Sequence, residues 1–223
     1  MKATIMLGAA GALTLAGITQ ASPFGGFTFE SLGDAGYGET YRLYVNMEAG
    51  TRIDAVFGNS VGSLSIGLQD GMNFYQNGLG GPTSTSINSA FFPLAPSLEF
   101  DSYVTVGALY ANGAPFAENK LLDIGIDFAS FEAGGELATN NGSWFVTPAD
   151  AQGEELGGMV LIGQFTVIGG SGNGAADLTG QISIQGKDVD GNTFQELGIT
   201  WVPAPGALAL LGLAGLAGRR RRR

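Results

Sequence analysis

The stretch 177–201, DLTGQISIQGKDVDGNTFQELGITW, decides the fold. Its two halves, 177–188 and 192–201, are strand-length segments separated by Val189, Asp190 and Gly191. An Asp-Gly step supplies the positive φ that a tight hairpin turn demands, so the two halves are expected to pair antiparallel. Working outward, the same grammar recurs along the chain. The segments 40–48 (TYRLYVNME) and 52–58 (RIDAVFG), parted by Ala49, Gly50 and Thr51, are expected to form a hairpin-like pair. The segment 61–68 alternates imperfectly. In 97–109, Leu98, Phe100, Ser102, Val104 and Val106 fall on one face of a half-buried strand, and Glu99, Asp101, Tyr103 and Thr105 on the other. Further strands are expected at 121–128, 142–148 and 157–169.

Thirty-eight glycines and few lysines disfavour long helices, and no helical stripe is apparent. About nine short strands with Gly, Asn and Asp turns predict an all-β fold, a single β-sandwich that includes the jelly roll among its forms. No internal repeat or interdomain linker interrupts it. The segment 77–96, rich in Gly, Pro, Ser and Thr, reads as a long surface loop of the kind that carries binding function.

Cysteine and histidine are both absent, which removes disulfides, thiol chemistry, the usual general base and the commonest zinc ligand. The formal charge of −10 conceals an asymmetry, because Lys2 and the five arginines 219–223 lie in the terminal segments. Without those segments, Arg42, Arg52, Lys120 and Lys187 face all 20 acidic residues, a formal −16. Such a surface repels nucleic acid and anionic membranes.

Neither terminus reads as part of the fold. Residues 1–21 carry Lys2, an uncharged run over 5–18 and the small-residue exit Thr19, Gln20, Ala21, which is the layout of a secretory signal peptide cut between Ala21 and Ser22. A retained anchor is the alternative, though the run is shorter than the roughly 20 residues of a spanning helix. At the other end, Pro203 and Pro205 make an extended neck, 207–217 is a short apolar span, and Arg219, Arg220, Arg221, Arg222 and Arg223 form a cytoplasmic stop. Neck, span and basic tail together make a hold-and-cut signal.

Val202, Pro203, Ala204, Pro205 and Gly206, followed by the span and the arginines, resemble the PEP-CTERM sorting signal of double-membrane bacteria, with Ala204 where the family carries glutamate. The resemblance covers 202–223 and implies transient membrane anchoring, recognition and cleavage by an exosortase-like enzyme, and delivery to the surface of bacteria that often make exopolysaccharide. A tail anchor that is never cut is the alternative. The expected organisation is therefore a signal peptide at 1–21, a β-sandwich at 22–201 and a sorting signal at 202–223.

Four patterns in the middle of the chain can carry chemistry. Asp188, Asp190 and Asn192, with Glu196 beyond, place oxygen ligands at alternate positions suited to Ca2+, although a hairpin turn explains the same residues. Glu99 with Asp101, and Glu154 with Glu155, are the paired carboxylates a glycoside hydrolase uses, or simply a solvated face. The run GGSGNG at 169–174 has no following lysine or opening helix to make a phosphate cradle. Tyr41, Tyr44, Tyr75, Tyr103, Tyr110, Trp144 and Trp201 could stack on sugar rings or fill the core. The triplet Asn141, Gly142, Ser143 reads as a turn. With no serine nucleophile elbow, the chain is expected to be an exported, non-enzymatic envelope or matrix component in contact with polysaccharide and processed by signal peptidase. A carboxylate-based carbohydrate-active enzyme and a calcium-dependent glycan-binding module are the alternatives.

Overall fold

A computed structural model describes residues 22–201. The signal peptide expected up to Ala21, the sorting motif expected at 202–206, and the span and arginine tail after it lie outside the described residues. Twelve strands build the chain: β1 (Phe24–Asp34), β2 (Glu39–Met47), β3 (Arg52–Gly58), β4 (Leu64–Leu68), β5 (Asn73–Phe74), β6 (Tyr103–Val104), β7 (Leu122–Ile124), β8 (Leu137–Thr139), β9 (Gly142–Phe145), β10 (Met159–Ile168), β11 (Leu178–Lys187) and β12 (Thr193–Trp201). They form two antiparallel sheets that pack as a β-sandwich. In the five-stranded sheet the order is β1-β2-β10-β5, with β6 also on β10. In the seven-stranded sheet β11 pairs with β12 along one edge and with β3 and β4 along the other, and β9, β7 and β8 lie beyond. Among the described residues no helix is long and apolar enough to cross a membrane.

Alternation explains the layering. In β2, Tyr41, Leu43, Val45 and Met47 point into the sandwich while Arg42, Tyr44 and Asn46 stay half-exposed on the outer face. In β3, Ile53 and Val56 face them from the opposite sheet. Trp144 on β9 is fully buried, and its indole N–H donates to the Thr105 carbonyl at 2.9 Å, tying the two sheets together. An aromatic ring of that size contributes about 4–6 kcal/mol by burial alone.

The β11–β12 hairpin forms as expected, around Gly191 at φ +80°. The pairing of 40–48 with 52–58 does not form. β2 belongs to one sheet and β3 to the other, so Ala49, Gly50 and Thr51 make an arch between sheets. Both strands are apolar on their inner faces, and an arch lets those faces meet across the core whereas a hairpin would lay them side by side. The partners of β2 are instead β10 and β1, and the alternation of β1 is broken by glycines at the bulges between Phe24 and Gly26 and between Ser31 and Gly33.

The half-buried strand over 97–109 is also corrected. Pro96–Phe100 is a 3-10 turn, only Tyr103–Val104 is a strand, and residues 101–106 are buried on both sides. Alternation there has no solvent side to report. The residues on either side of this short strand instead pass over the outer face of the five-stranded sheet: the Gln164 amide donates to the Glu99 and Asp101 carbonyls, and Arg42 donates to the Tyr110 hydroxyl at 3.5 Å. A second small core of Ile87, Leu98 and Tyr103 forms beneath this crossing. The expected loop at 77–96 is thus partly a lid, with Thr83, Ser84 and Ile87 buried. The strand expected at 61–68 begins only at Leu64, Val61 being 78% exposed, and that at 121–128 shrinks to three exposed residues before Gly125 at φ +69°.

Candidate functional site

A groove of about 450 Å3 lies on the outer face of the five-stranded sheet, beside the lid. Tyr44, Leu109, Phe116, Leu156, Met159 and Leu161 make it apolar. Thr28 and the exposed carboxylates of Glu30 and Glu154 border it, and no basic side chain lines it. Its residues arrive by simple rules. Thr28 and Glu30 are the outward positions of β1, Tyr44 that of β2, and Leu161 pairs with Tyr44 just before the bulge that inserts Ile162 into β10. Gly107 closes the lid side at φ +70°, where a Cβ would collide with the Gln152 carbonyl and approach the Phe116 ring to 2.9 Å. The Tyr44 hydroxyl donates to Glu30 Oε2 at 2.9 Å, which fixes the ring. Burial, and then the hydrogen bond to the Glu30 carboxylate, push the Tyr44 phenol up to about 12, so it remains a neutral donor. Chemically such a surface suits something apolar that brings hydrogen-bond donors or positive charge.

The residues singled out in the sequence fall elsewhere. Asp188, Asp190 and Asn192 share the β11–β12 turn, where Asp188 Oδ1 accepts from the backbone N–H of Asp190 at 3.0 Å and of Asn192 at 2.8 Å. Asp188 sits below the usual carboxylate range: desolvation, the largest single influence, opposes the shift, and the Asn192 backbone and side-chain donors together with the Asp190 and Gly191 N–H groups outweigh it. Among the described residues no three Asp, Glu, His or Cys side chains gather as a metal-holding group.

Glu99 and Asp101 do not share a face. Glu99 is exposed on its 3-10 turn, whereas the Asp101 carboxylate is fully buried and accepts from the backbone N–H groups of Asn77 at 2.7 Å, Gly81 at 3.1 Å and Ser102 at 3.0 Å. Burial pushes Asp101 up to about 6 against the pull of those donors. Its task is to hold the 77–81 turn onto the sheet, and the carbohydrate-active alternative loses this pair. Glu154 reaches the groove, but Glu155 pins the β2–β3 arch. Its Oε1 accepts from Gly50 N–H at 3.1 Å and its Oε2 from Gly158 N–H at 2.5 Å, and these donors hold its carboxyl below the usual range.

The glycine run 169–174 does open a single helical turn, Gly174–Asp177, contrary to expectation. The anion it meets is internal: buried Asp177 accepts from Ser171 N–H at 2.7 Å, Ser171 Oγ at 2.6 Å and Tyr41 Oη at 2.6 Å. Asn141 lies in a turn just before β9.

Of the aromatic candidates, Tyr41, Tyr103, Trp144 and Trp201 belong to the interior. Tyr75 is half-exposed but packs on Tyr37, centroids 5.3 Å apart and planes tilted by 34°, and Tyr37 in turn stacks on Phe100 at 5.6 Å and 26°. Rings stacked on one another spend their faces internally and offer no flat strip. Only Tyr44 enters the groove. Sequence reasoning missed the groove as a unit, because Thr28, Tyr44, Phe116 and Leu161 are brought together by β1–β2 pairing and by the lid, neither of which has a local signal.

Fold and site together define an all-β sandwich with an acid-bordered apolar groove on one outer face. Compared with known proteins, the chain matches no family model, no curated protein and no solved structure.

Proposed function

We propose that this protein is an exported, surface-associated component of the cell envelope or exopolysaccharide matrix, structural or adhesive and without catalytic activity, delivered by a signal peptidase and an exosortase-like enzyme. The tripartite ending at 202–223 carries the reading: a proline neck, an apolar span and five arginines in that order form a membrane hold followed by a stop. It is supported by a formal −16 over 22–201, suited to life outside the cell, and by a chain with no histidine or cysteine to activate a nucleophile. The test is the intact mass of protein recovered from the surface of its native host. Loss of residues 1–21 and of 219–223 is the expected result, and retention of the arginines on surface-recovered protein refutes the cleavage.

A second reading, a glycan-binding module, draws on one observation: the Tyr44 ring, oriented by Glu30, lines a groove with a second ring at Phe116 and two carboxylates able to accept sugar hydroxyls. Co-sedimentation with neutral polysaccharide that is lost in Tyr44→Ala distinguishes it from a purely structural role.

A further inference from the structure

We infer that the groove on the outer face of the five-stranded sheet is a docking site for this chain's own C-terminal segment, its apolar run 207–217 lying over the apolar floor and its arginines meeting Glu30 and Glu154. Three observations converge on that occupant, and none of them depends on whether the tail is later cut.

The first is position. The described chain ends at Trp201, which is only 7% exposed and packs edge-on against Phe27 and Phe29 on the inner face of β1, with centroids 4.8 and 6.3 Å away. Thr28 and Glu30, the alternate residues of the same strand, border the groove on the opposite face. β1 is the outermost strand of its sheet, so a chain leaving Trp201 needs only to round that edge. The second is length. The five neck residues Val202, Pro203, Ala204, Pro205 and Gly206 would span about 17 Å if extended, against sheet layers about 10 Å apart, which is reach enough to bring the start of the apolar run to the groove.

The third is complementarity. Leu208, Leu210, Leu211, Leu213 and Leu216 offer the apolar surface that the floor lacks, and the groove has room for some of these leucines rather than the whole run. The five arginines that follow are the densest positive charge in the sequence, and two exposed carboxylates border the groove, Glu30 opposite Arg42 and Glu154 opposite Arg52 in the strand register, with no lysine or arginine in the lining itself. In a chain whose tail is not inserted in a membrane, docking would keep the oily run out of water.

The absence of native cysteine makes this directly measurable in the full chain, since any disulfide formed is an engineered one. Leu156→Cys, at a groove position that is 51% exposed, is combined with Leu211→Cys and oxidised mildly at low protein concentration without detergent. The comparison is Val61→Cys with Leu211→Cys. Val61 is more exposed and neighbours Gly62, which lies against Gly198 on β12, so an unrestrained tail reaches it at least as easily. The expected result is an intrachain disulfide that forms at least about tenfold faster in the groove pair, reflecting a raised effective concentration, and that slows when Glu30→Gln and Glu154→Gln are added. Equal rates for the two pairs, or a disulfide only between chains, overturns the proposal. Unchanged circular dichroism of both double variants ties either result to the folded protein.

Discussion

Asp101 sets a pH dependence that runs opposite to ordinary acid denaturation. Its carboxyl rises from the usual 3.8 to about 6 because burial penalises the charge more than the N–H groups of Asn77, Gly81 and Ser102 favour it. A raised folded-state value means that the native state holds the proton where the unfolded chain has already lost it. The stabilisation from this group is therefore complete below about pH 4 and is lost as pH rises to about 6. At about 1.4 kcal/mol per pH unit, the interval from 3.8 to about 6 amounts to about 3 kcal/mol. Asp34, Glu155 and Asp188 act in the opposite sense, because their lowered values stabilise the fold above the unfolded carboxylate range and are lost as pH falls. Urea unfolding of the wild type and of Asp101→Asn, from pH 4 to pH 7, cancels that common background. The stability advantage of wild type over the variant should shrink by about 3 kcal/mol across this interval. A difference that is flat with pH, or that grows toward neutrality, refutes the claim that burial dominates the three donors.

Two further perturbations test the packing. Arg52 and Asp54 form a nearly buried ion pair at 2.6 Å, and Arg52 also donates to the Thr147 and Asp150 carbonyls. Arg52→Ala strands the aspartate and should cost about 3–5 kcal/mol, a fall in Tm on the order of 10 °C, and the Arg52→Ala/Asp54→Ala double variant should recover part of it in calorimetry. A single variant that melts with wild type would show that the pair is solvated. Gly180→Val puts a Cβ into the Trp201 ring, so the indole should leave Phe27 and Phe29. Red-shifted tryptophan emission and a loss of about 1–3 kcal/mol are expected, and unchanged emission would place the ring elsewhere.

What the sequence determined by itself was whatever a few neighbouring residues can dictate. Asp190-Gly191 specified a hairpin because the turn is closed by residues adjacent in the chain, and Tyr41 and Leu43 fall on the face opposite Arg42 and Tyr44 because period two is a property of the strand itself. The all-β sandwich followed from many such local signals. Only the tertiary structure decided that β2 and β3 arch between sheets, since the same three-residue connection serves a hairpin or an arch and the choice is made by apolar faces meeting across a core. It also decided that Asp101 is an interior anchor and no partner to Glu99, because the 77–81 turn closes over what would be the solvent face of a half-exposed strand. The groove belongs to the same category. Thr28, Tyr44, Phe116 and Leu161 lie far apart along the chain, and they become one surface only through pairings whose energy comes from contacts made after the chain has folded.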